Sequence, residues 1–279
     1  MTPQDRTAAA ARYGLRFIVH YVPPRNRGLR LVALLDRVLP PSATLFRARI
    51  AAGVYVTCDL RDSVQACIFY RGVYEPSLTR MILDELGLGD VFLDLGANIG
   101  YFSLLASRKV GPMGSVHAFE PSPDLSRRLK SDARRLATEC AKVTVHEVAT
   151  FDRSATVVLK SPESAASAAG ETFIEVSTDT DEDGVHAEAV RVDDYLPMHQ
   201  RVDVVKIDVE GAELRALRGM TETILRCRPR LIVVETIDQN LRRFDDDAES
   251  LMSFMGDLGY TGEPVVEKYW APMTAFRPS

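Results

Sequence analysis

The residues with chemical potential are a glycine-rich turn and a set of acids, each at the end of an apolar run. In VFLDLGANIGYFSLLASRKV the run closes on Asp94, Gly96-x-Asn98-x-Gly100 follows, and a helical pattern opens near Ile99. A strand passing through such a turn into a helix aims the helix N–H groups at a ligand lying over the strand ends. The spacing departs from G-x-G-x-x-G. A bridging diphosphate needs glycine at the second position so that the backbone can approach it, and here Ala97 and Asn98 carry side chains. The turn therefore suits a ligand without a pyrophosphate, one with an amino-acid moiety, a ribose and an adenine. Glu120 stands twenty residues after Gly100, at the end of SVHAFEPSP, where an acid accepts hydrogen bonds from both ribose hydroxyls. Pro121 and Pro123 set the next turn, and Ser122 is the expected helix cap.

A second group of acids follows the later apolar runs. KIDVEGAELRAL puts Asp208 at a strand end, Glu210 in the turn, Gly211 at the bend and Glu213 in the first turn of a helix, and Glu235 ends LIVVE. Strand C-termini of an open α/β sheet face one crevice, and a carboxylate there can take the proton of a hydroxyl as general base. For Glu213, helix capping is the favoured reading. Lys206, two residues before Asp208, reads as a neutraliser of these acids. His117 and His146 fall inside predicted strands and read as packed side chains.

The elements that must position these groups can be traced by pattern. Helices are expected at Ser77–Leu86, Ile99–Lys109, Asp124–Ala137, Ala212–Arg226 and Asp246–Leu258. Strands are expected at Val91–Leu95, Ser115–Phe119, Val143–Val148, Val202–Ile207 and Arg230–Val234. Short apolar runs alternating with amphipathic segments predict an α/β fold, a mostly parallel doubly wound sheet with helices on both faces. Ser161–Gly184, rich in Ser, Ala, Asp and Glu, reads as a loop or hairpin excursion and a candidate lid.

Upstream, residues 1–70 form a distinct extension ahead of a main domain at 71–279. The first fifty residues hold nine arginines against two aspartates, a local net of +7 that leaves −12 for the remainder. Helical patterns span Asp5–Tyr21 and Gly28–Leu39, ended by Pro23-Pro24 and Pro40-Pro41. A cap helix on the main domain is the favoured reading of the second, and peripheral membrane contact the weaker one. Leu45–Tyr70 is rich in β-branched and aromatic residues and reads as two or three antiparallel strands, with Val54–Phe69 offering an edge for a homodimer.

Composition narrows the class. The chain has 279 residues, 46% hydrophobic and 26% charged, with net charge −5. That balance argues against nucleic-acid binding, which needs a basic surface. The longest run without a charged residue is thirteen positions, Leu95–Ser107, short of the roughly 20 apolar residues of a membrane span. No apolar leader opens the sequence, and the four cysteines and five histidines show no metal-ligand or redox spacing. A cytoplasmic protein with reduced thiols is expected.

The pieces GVYEPSLTRMI, DLGANIGYFSLL, HAFEPSP, VRVDDYL, VDVVKIDVEGAELRALRGM and PRLIVVE, in this order over Gly72–Glu235, resemble the FkbM family of S-adenosylmethionine-dependent methyltransferases. The resemblance implies a Rossmann-like class I methyltransferase fold, S-adenosyl-L-methionine as cofactor with S-adenosyl-L-homocysteine as product, and O-methylation of a hydroxyl on a natural product such as a macrolide, or on a sugar of a glycolipid or glycoside. It further implies that Tyr74 and Glu75 close over the methionine end of the cofactor. Two stretches depart from the family pattern, LKSDARRL and HEVATFDRS, and leave Ala149 and Asp152 as candidates for the adenine side. The cofactor-binding candidates are thus Tyr74, Glu75, Asp94, Gly96, Asn98, Gly100, Glu120, Pro121, Ser122, Ala149 and Asp208. The catalytic candidates are Asp208, Glu210 and Glu235. No metal ligands are assigned; a magnesium ion between Asp208 and Glu235, by analogy with catechol-type O-methyltransferases, is the less favoured arrangement. The rival functions are a nucleotide-dependent oxidoreductase on a similar sheet and a non-catalytic domain that keeps the fold for binding.

Overall fold

The structure, a computed structural model, describes residues 10–16, 45–160, 172–176, 184–266 and 271–279. Residues 10–16 are helical. Strands β1 (Leu45–Arg49) and β2 (Tyr55–Asp59) form an antiparallel hairpin, followed by helices α1 (Ser63–Arg71) and α2 (Pro76–Glu85). The alternation β3 (Val91–Leu95), α3 (Tyr101–Val110), β4 (Ser115–Phe119), α4 (Pro123–Ala133) and β5 (Lys142–His146) comes next. Four shorter strands then intervene: β6 (Ala149–Thr150), β7 (Ala155–Lys160), β8 (Phe173–Val176) and β9 (Val185–Val190). The chain continues with α5 (Val192–Tyr195), β10 (Val204–Ile207), α6 (Glu213–Arg218), α7 (Thr221–Cys227), β11 (Leu231–Glu235), α8 (Asp238–Leu241), a 3-10 turn at Arg242–Phe244, α9 (Ala248–Asp257), β12 (Tyr260–Val265) and β13 (Met273–Pro278).

Seven strands make the main sheet in the order β12-β13-β11-β10-β3-β4-β5. The five from β5 to β11 are parallel, and β13 and β12 close one edge antiparallel. Successive residues of the central strands enter different cores. Phe92, Val204 and Val233 pack with Leu78, Ile82, Leu104 and Leu129 on one face. Leu93, Val205 and Ile232 pack with Leu217, Ile224, Leu251 and Met255 on the other. Burial on both faces is why β11 reads as an apolar run up to Glu235, and why β10 departs from one only at Lys206. Each such side chain taken from water stabilises the fold by about 1.5–3 kcal/mol. The expected doubly wound α/β fold is therefore what the chain adopts.

Direction reverses at β3: the chain moves to β4 and β5 on one side and to β10 and β11 on the other. A ligand crevice opens at such a switch point, beyond the strand C-termini. Register brings the chemistry together there, because Asp94 pairs with Lys206 and Ile207 with Val234. Asp208 and Glu235 accordingly leave the sheet side by side.

Several local expectations need correction. Residues 63–70 are helix, not strand: Asp62 caps α1 by accepting from the Gln65 N–H at 2.9 Å, and Gly72 ends it with φ of 69°. The apolar content that resembled a strand is the helix's buried face, Ala66, Ile68, Phe69 and Tyr70. Beyond Asp59 this segment therefore has no strand edge to offer a second subunit. The helix expected over Ala212–Arg226 is two helices broken near Gly219, where a Cβ would meet the Phe151 carbonyl oxygen at 1.9 Å. The segment after β5 builds a separate four-stranded sheet, ordered β6-β9-β7-β8; of the Ser161–Gly184 excursion, residues 172–176 and 184 are described. The terminal β12–β13 hairpin was not anticipated. The pattern at Gly28–Leu39, and that at Asp5–Tyr21 apart from residues 10–16, lie outside the described residues. His117 and His146 do pack on each other, Nδ1 to Nε2 3.1 Å apart with the rings stacked.

Candidate active site

The first wall of the crevice is built largely from backbone. Asp94 is fully buried. The Ser103 hydroxyl donates to its Oδ2 at 2.6 Å, and its Oδ1 is buried with no hydrogen-bond partner among the described residues. Gly96 has φ of 79°, and a Cβ there would fall 1.8 Å from the Asp208 carbonyl oxygen. The turn after β3 thus rests directly on the exit of β10. The Gly96 and Ala97 N–H groups donate to the Phe119 carbonyl at 3.0 and 2.9 Å. Asn98, also in the left-handed region at φ of 51°, donates its N–H to Glu120 Oε2 at 2.8 Å. Glu120 Oε1 accepts from the Ser122 N–H at 2.9 Å. Burial pushes the Glu120 carboxyl up to about 7, against the pull of those two N–H groups.

The second wall is built from charge. Lys206, buried beside the Phe102 ring, donates to Asp208 Oδ2 at 2.9 Å. Burial alone would lower its pKa, but Asp208, Asp94 and Glu75 together outweigh that and raise it, so the ammonium persists. Glu235 is buried, and the Asn240 side-chain amide donates to its Oε2 at 3.2 Å and to Glu210 Oε2 at 3.5 Å. Burial, reinforced by Asp208, Glu210 and Glu213, pushes Glu235 up to about 10, so it keeps its proton at neutral pH. Burial likewise raises Asp94, opposed by Lys206 and the Ser103 hydroxyl. Glu210 sits at φ of 56°, its carbonyl oxygen accepting from Arg243 Nη1 at 2.6 Å. Glu213 turns back to accept from the Val209 and Gly211 N–H groups at 3.0 Å, so it holds the turn before α6 and does not cap the helix as expected, the N-cap Ala212 having no side-chain cap bond.

A third side comes from the segment before α2. The rings of Tyr74, Tyr101 and Phe102 meet edge to face. Tyr101 Oη accepts from the Tyr74 N–H at 3.1 Å, and the Thr79 hydroxyl donates to the Tyr74 carbonyl at 2.6 Å. Glu75 is buried in the left-handed region at φ of 41° and makes no cap hydrogen bond to α2. Two non-glycine residues with positive φ, Asn98 and Glu210, line one crevice, and a third, Glu75, adjoins its lining residue Tyr74; such strain concentrates at functional sites.

These walls enclose a cavity of about 430 Å³. Of the sequence candidates, Tyr74, Gly96, Asn98, Glu120, Pro121, Ala149, Asp208, Glu210 and Glu235 line it. Glu75, Asp94, Gly100 and Ser122 do not. Gly100 faces Leu129, where a Cβ would clash at 2.1 Å, and the Ser122 hydroxyl caps α4 by accepting from the Leu125 N–H at 3.5 Å. Asp152 is engaged by Arg215 and Arg153 outside the cavity. Lys206, Asn240 and Arg243 also line it and were not among the sequence candidates. The last two follow the C-terminus of β11, so the strand-end rule that found Glu235 points to them as well. Among the described residues, no three His, Cys, Asp or Glu side chains gather in metal-binding geometry, and no helix is long and apolar enough to cross a membrane.

The donor set fits S-adenosylmethionine. An acid-rich pocket with one buried lysine is complementary to a ligand that carries a sulfonium and an ammonium beside a single carboxylate. The Glu120 carboxylate faces the cavity as an acceptor, and Asp94, buried behind the lining, keeps one oxygen without a hydrogen-bond partner among the described residues.

Comparison with known proteins shows the family. The profile of the family described as "Methyltransferase FkbM domain" matches residues 94–261. The hexuronic acid methyltransferase AglP of Haloferax volcanii is 33% identical over 152 residues, 54% of this chain and 58% of that protein. The 31-O-demethyl-FK506 methyltransferase FkbM of Streptomyces tacrolimicus is 32% identical over 163 residues, 50% of this chain and 62% of that protein. The chain thus spans about three-fifths of the length of these relatives. Among solved structures, a putative rRNA-methylase from Clostridium thermocellum superposes with a TM-score of 0.48 at 10% identity, covering 73% of this chain and 95% of that one.

Proposed function

The chain belongs to the FkbM methyltransferase family, and on that premise we propose that it transfers the methyl group of S-adenosylmethionine to an oxygen of a small hydroxylated acceptor, a glycoside, glycolipid or macrolide-type metabolite. The observation that carries this reading is the pairing of a turn closed to diphosphate with an acid-lined crevice at the sheet's switch point. The names of the relatives support an oxygen acceptor, since one is a hexuronic acid methyltransferase and another a 31-O-demethyl-FK506 methyltransferase. Within this proposal residues 1–70 are the acceptor-side extension and 71–279 the catalytic domain.

When bound, S-adenosylmethionine supplies an electrophilic methyl carbon on sulfur. The protein's own work is then alignment, exclusion of water and removal of one proton. Glu120 takes the ribose hydroxyls, and Ala149 flanks the adenine. Asp208 would take the ammonium and Tyr74 would close the methionine end, with the buried carboxyls of Asp94 and Glu75 behind the lining. Holding nucleophile and methyl in line is worth about 7–11 kcal/mol of the barrier. The acceptor hydroxyl loses its proton as the C–O bond forms and the C–S bond breaks. Glu235 holds a proton of its own and Asp208 is ion-paired with Lys206; Glu210, which lines the cavity beside them and accepts from the Asn240 amide, is assigned the accepting role. A general base of this kind contributes about 10²–10⁴-fold.

The test is incubation of the full chain with methyl-labelled S-adenosylmethionine and a panel of glycosides and macrolides. Label on an acceptor oxygen supports the reading. Label on carbon or nitrogen, or no transfer by protein that binds the cofactor, overturns O-methylation.

A further inference from the structure

Among the described residues, Arg243 lines the cavity and has no part in the proposed chemistry. It lies in the 3-10 turn after α8 and is exposed. Its guanidinium carbon stands 4.2 Å over the Phe173 ring, and its Nη1 donates to the Glu210 carbonyl oxygen at 2.6 Å. No carboxylate pairs with it among the described residues. Other arginines near the sheet differ: Arg215 is held by Asp152 and Asp246, and Arg230 by Glu85, Asp90 and Asp203. The cavity's other cation, Lys206, is taken by Asp208.

We propose that Arg243 binds an anionic oxygen group of the acceptor, a carboxylate or a phosphate, and so registers the acceptor's hydroxyl on Glu210. The inference rests on the methyl-transfer reading of this cavity. Asp208 and Glu210 make the second wall hostile to an anion, so an anionic substituent sits best at Arg243. Stacking on Phe173 fixes the plane of the guanidinium, and a fixed fork matches carboxylate and phosphate geometry better than a mobile ammonium does. The same guanidinium already holds the Glu210 backbone, so a group bound by its remaining donors is located relative to that carboxylate. Thr172 and Ile174, beside Phe173, also line the cavity, which makes the β8 segment a wall of the acceptor end.

The bland alternative is a solvated arginine that only pins the turn at Glu210. To separate the two, the full chain saturated with S-adenosylhomocysteine is titrated with matched probes: 4-nitrophenyl β-D-glucuronide against 4-nitrophenyl β-D-glucoside, and glucose 1-phosphate against glucose. At least one anionic probe should bind about tenfold to a hundredfold tighter than its neutral partner, and which pair shows the preference tells carboxylate from phosphate. Arg243→Gln should abolish the preference with S-adenosylhomocysteine affinity held within about twofold. Arg243→Lys should restore part of it, and Phe173→Leu should weaken it with the charge intact. Equal or weaker binding of both anionic probes, binding of no probe, or a preference that survives Arg243→Gln would overturn the inference. Failure of the unmodified chain to bind S-adenosylhomocysteine would instead bring down the methyl-transfer reading, and this inference with it.

Discussion

The two walls of the cavity solve opposite problems. On the β3–β4 side the polar groups are largely satisfied from within: Glu120 is held by the Asn98 and Ser122 N–H groups, and the turn after β3 hangs on the Phe119 carbonyl. On the β10–β11 side, carboxylates crowd together around one ammonium, and one of them is pushed so far that it stays protonated. A wall that needs nothing from the ligand is rigid and suits a part of the reaction that never changes. A wall with mismatched charge gains most when something binds, and suits the part where protons and substrates change. Under the proposed function, the first wall would serve mainly the adenosyl part of the cofactor and the second the acceptor chemistry.

The sharpest way to break the comparison is at the joint between the walls. Gly96→Ala puts a methyl 1.8 Å from the Asp208 carbonyl oxygen in a left-handed conformation, so both walls must move. A loss of about 3–5 kcal/mol of stability is expected, read by chemical denaturation, and a variant of normal stability would show that the walls are independent. Next in size, Glu210→Gln should lower kcat by about 10²-fold or more with cofactor affinity unchanged, whereas Glu120→Gln should weaken the cofactor by about tenfold or more and leave acceptor KM alone. Calorimetry and steady-state kinetics on both variants would show whether the two effects divide along the walls or mix.

The smallest effect concerns pH. Glu235 has a folded pKa raised from 4.5 to about 10, so the unfolded chain releases this proton first. The stability that the proton provides is complete below about pH 4.5 and is lost progressively as pH rises towards 10. Glu235→Gln should therefore raise the melting temperature of the ligand-free protein at pH 8 by about 2–4 °C, with a smaller gain at pH 5. A gain of the same size at both pH values would mean that the residue's charge does not matter.

The sequence was most legible where one residue type has one physical reason to be present. The central strands Val91–Leu95 and Ser115–Phe119 emerge with the bounds expected of them; the first is buried on both faces, and such runs admit few other readings. Asp94, Glu120, Asp208 and Glu235 were visible because strand ends converge. Residues 63–70 misled because aromatic and β-branched side chains serve equally on the buried face of a helix, and the deciding signal was the Asp62 cap and the left-handed Gly72. The break at Gly219 depends on a carbonyl 68 positions earlier in the chain, which no local pattern can carry. Gly100 and Ser122 were assigned to the ligand on spacing, yet the first is needed by Leu129 and the second by the α4 N-terminus. Motif spacing does not separate a residue that touches a ligand from one that holds up its neighbour.

The central claim, that this crevice receives an adenosyl sulfonium, is tested most directly by calorimetric titration of the full chain with S-adenosylmethionine and, separately, with NADH. The account predicts one-to-one binding of the first, lost in Glu120→Ala, and none of the second. Saturable NADH binding, or S-adenosylmethionine binding indifferent to Glu120, would contradict it.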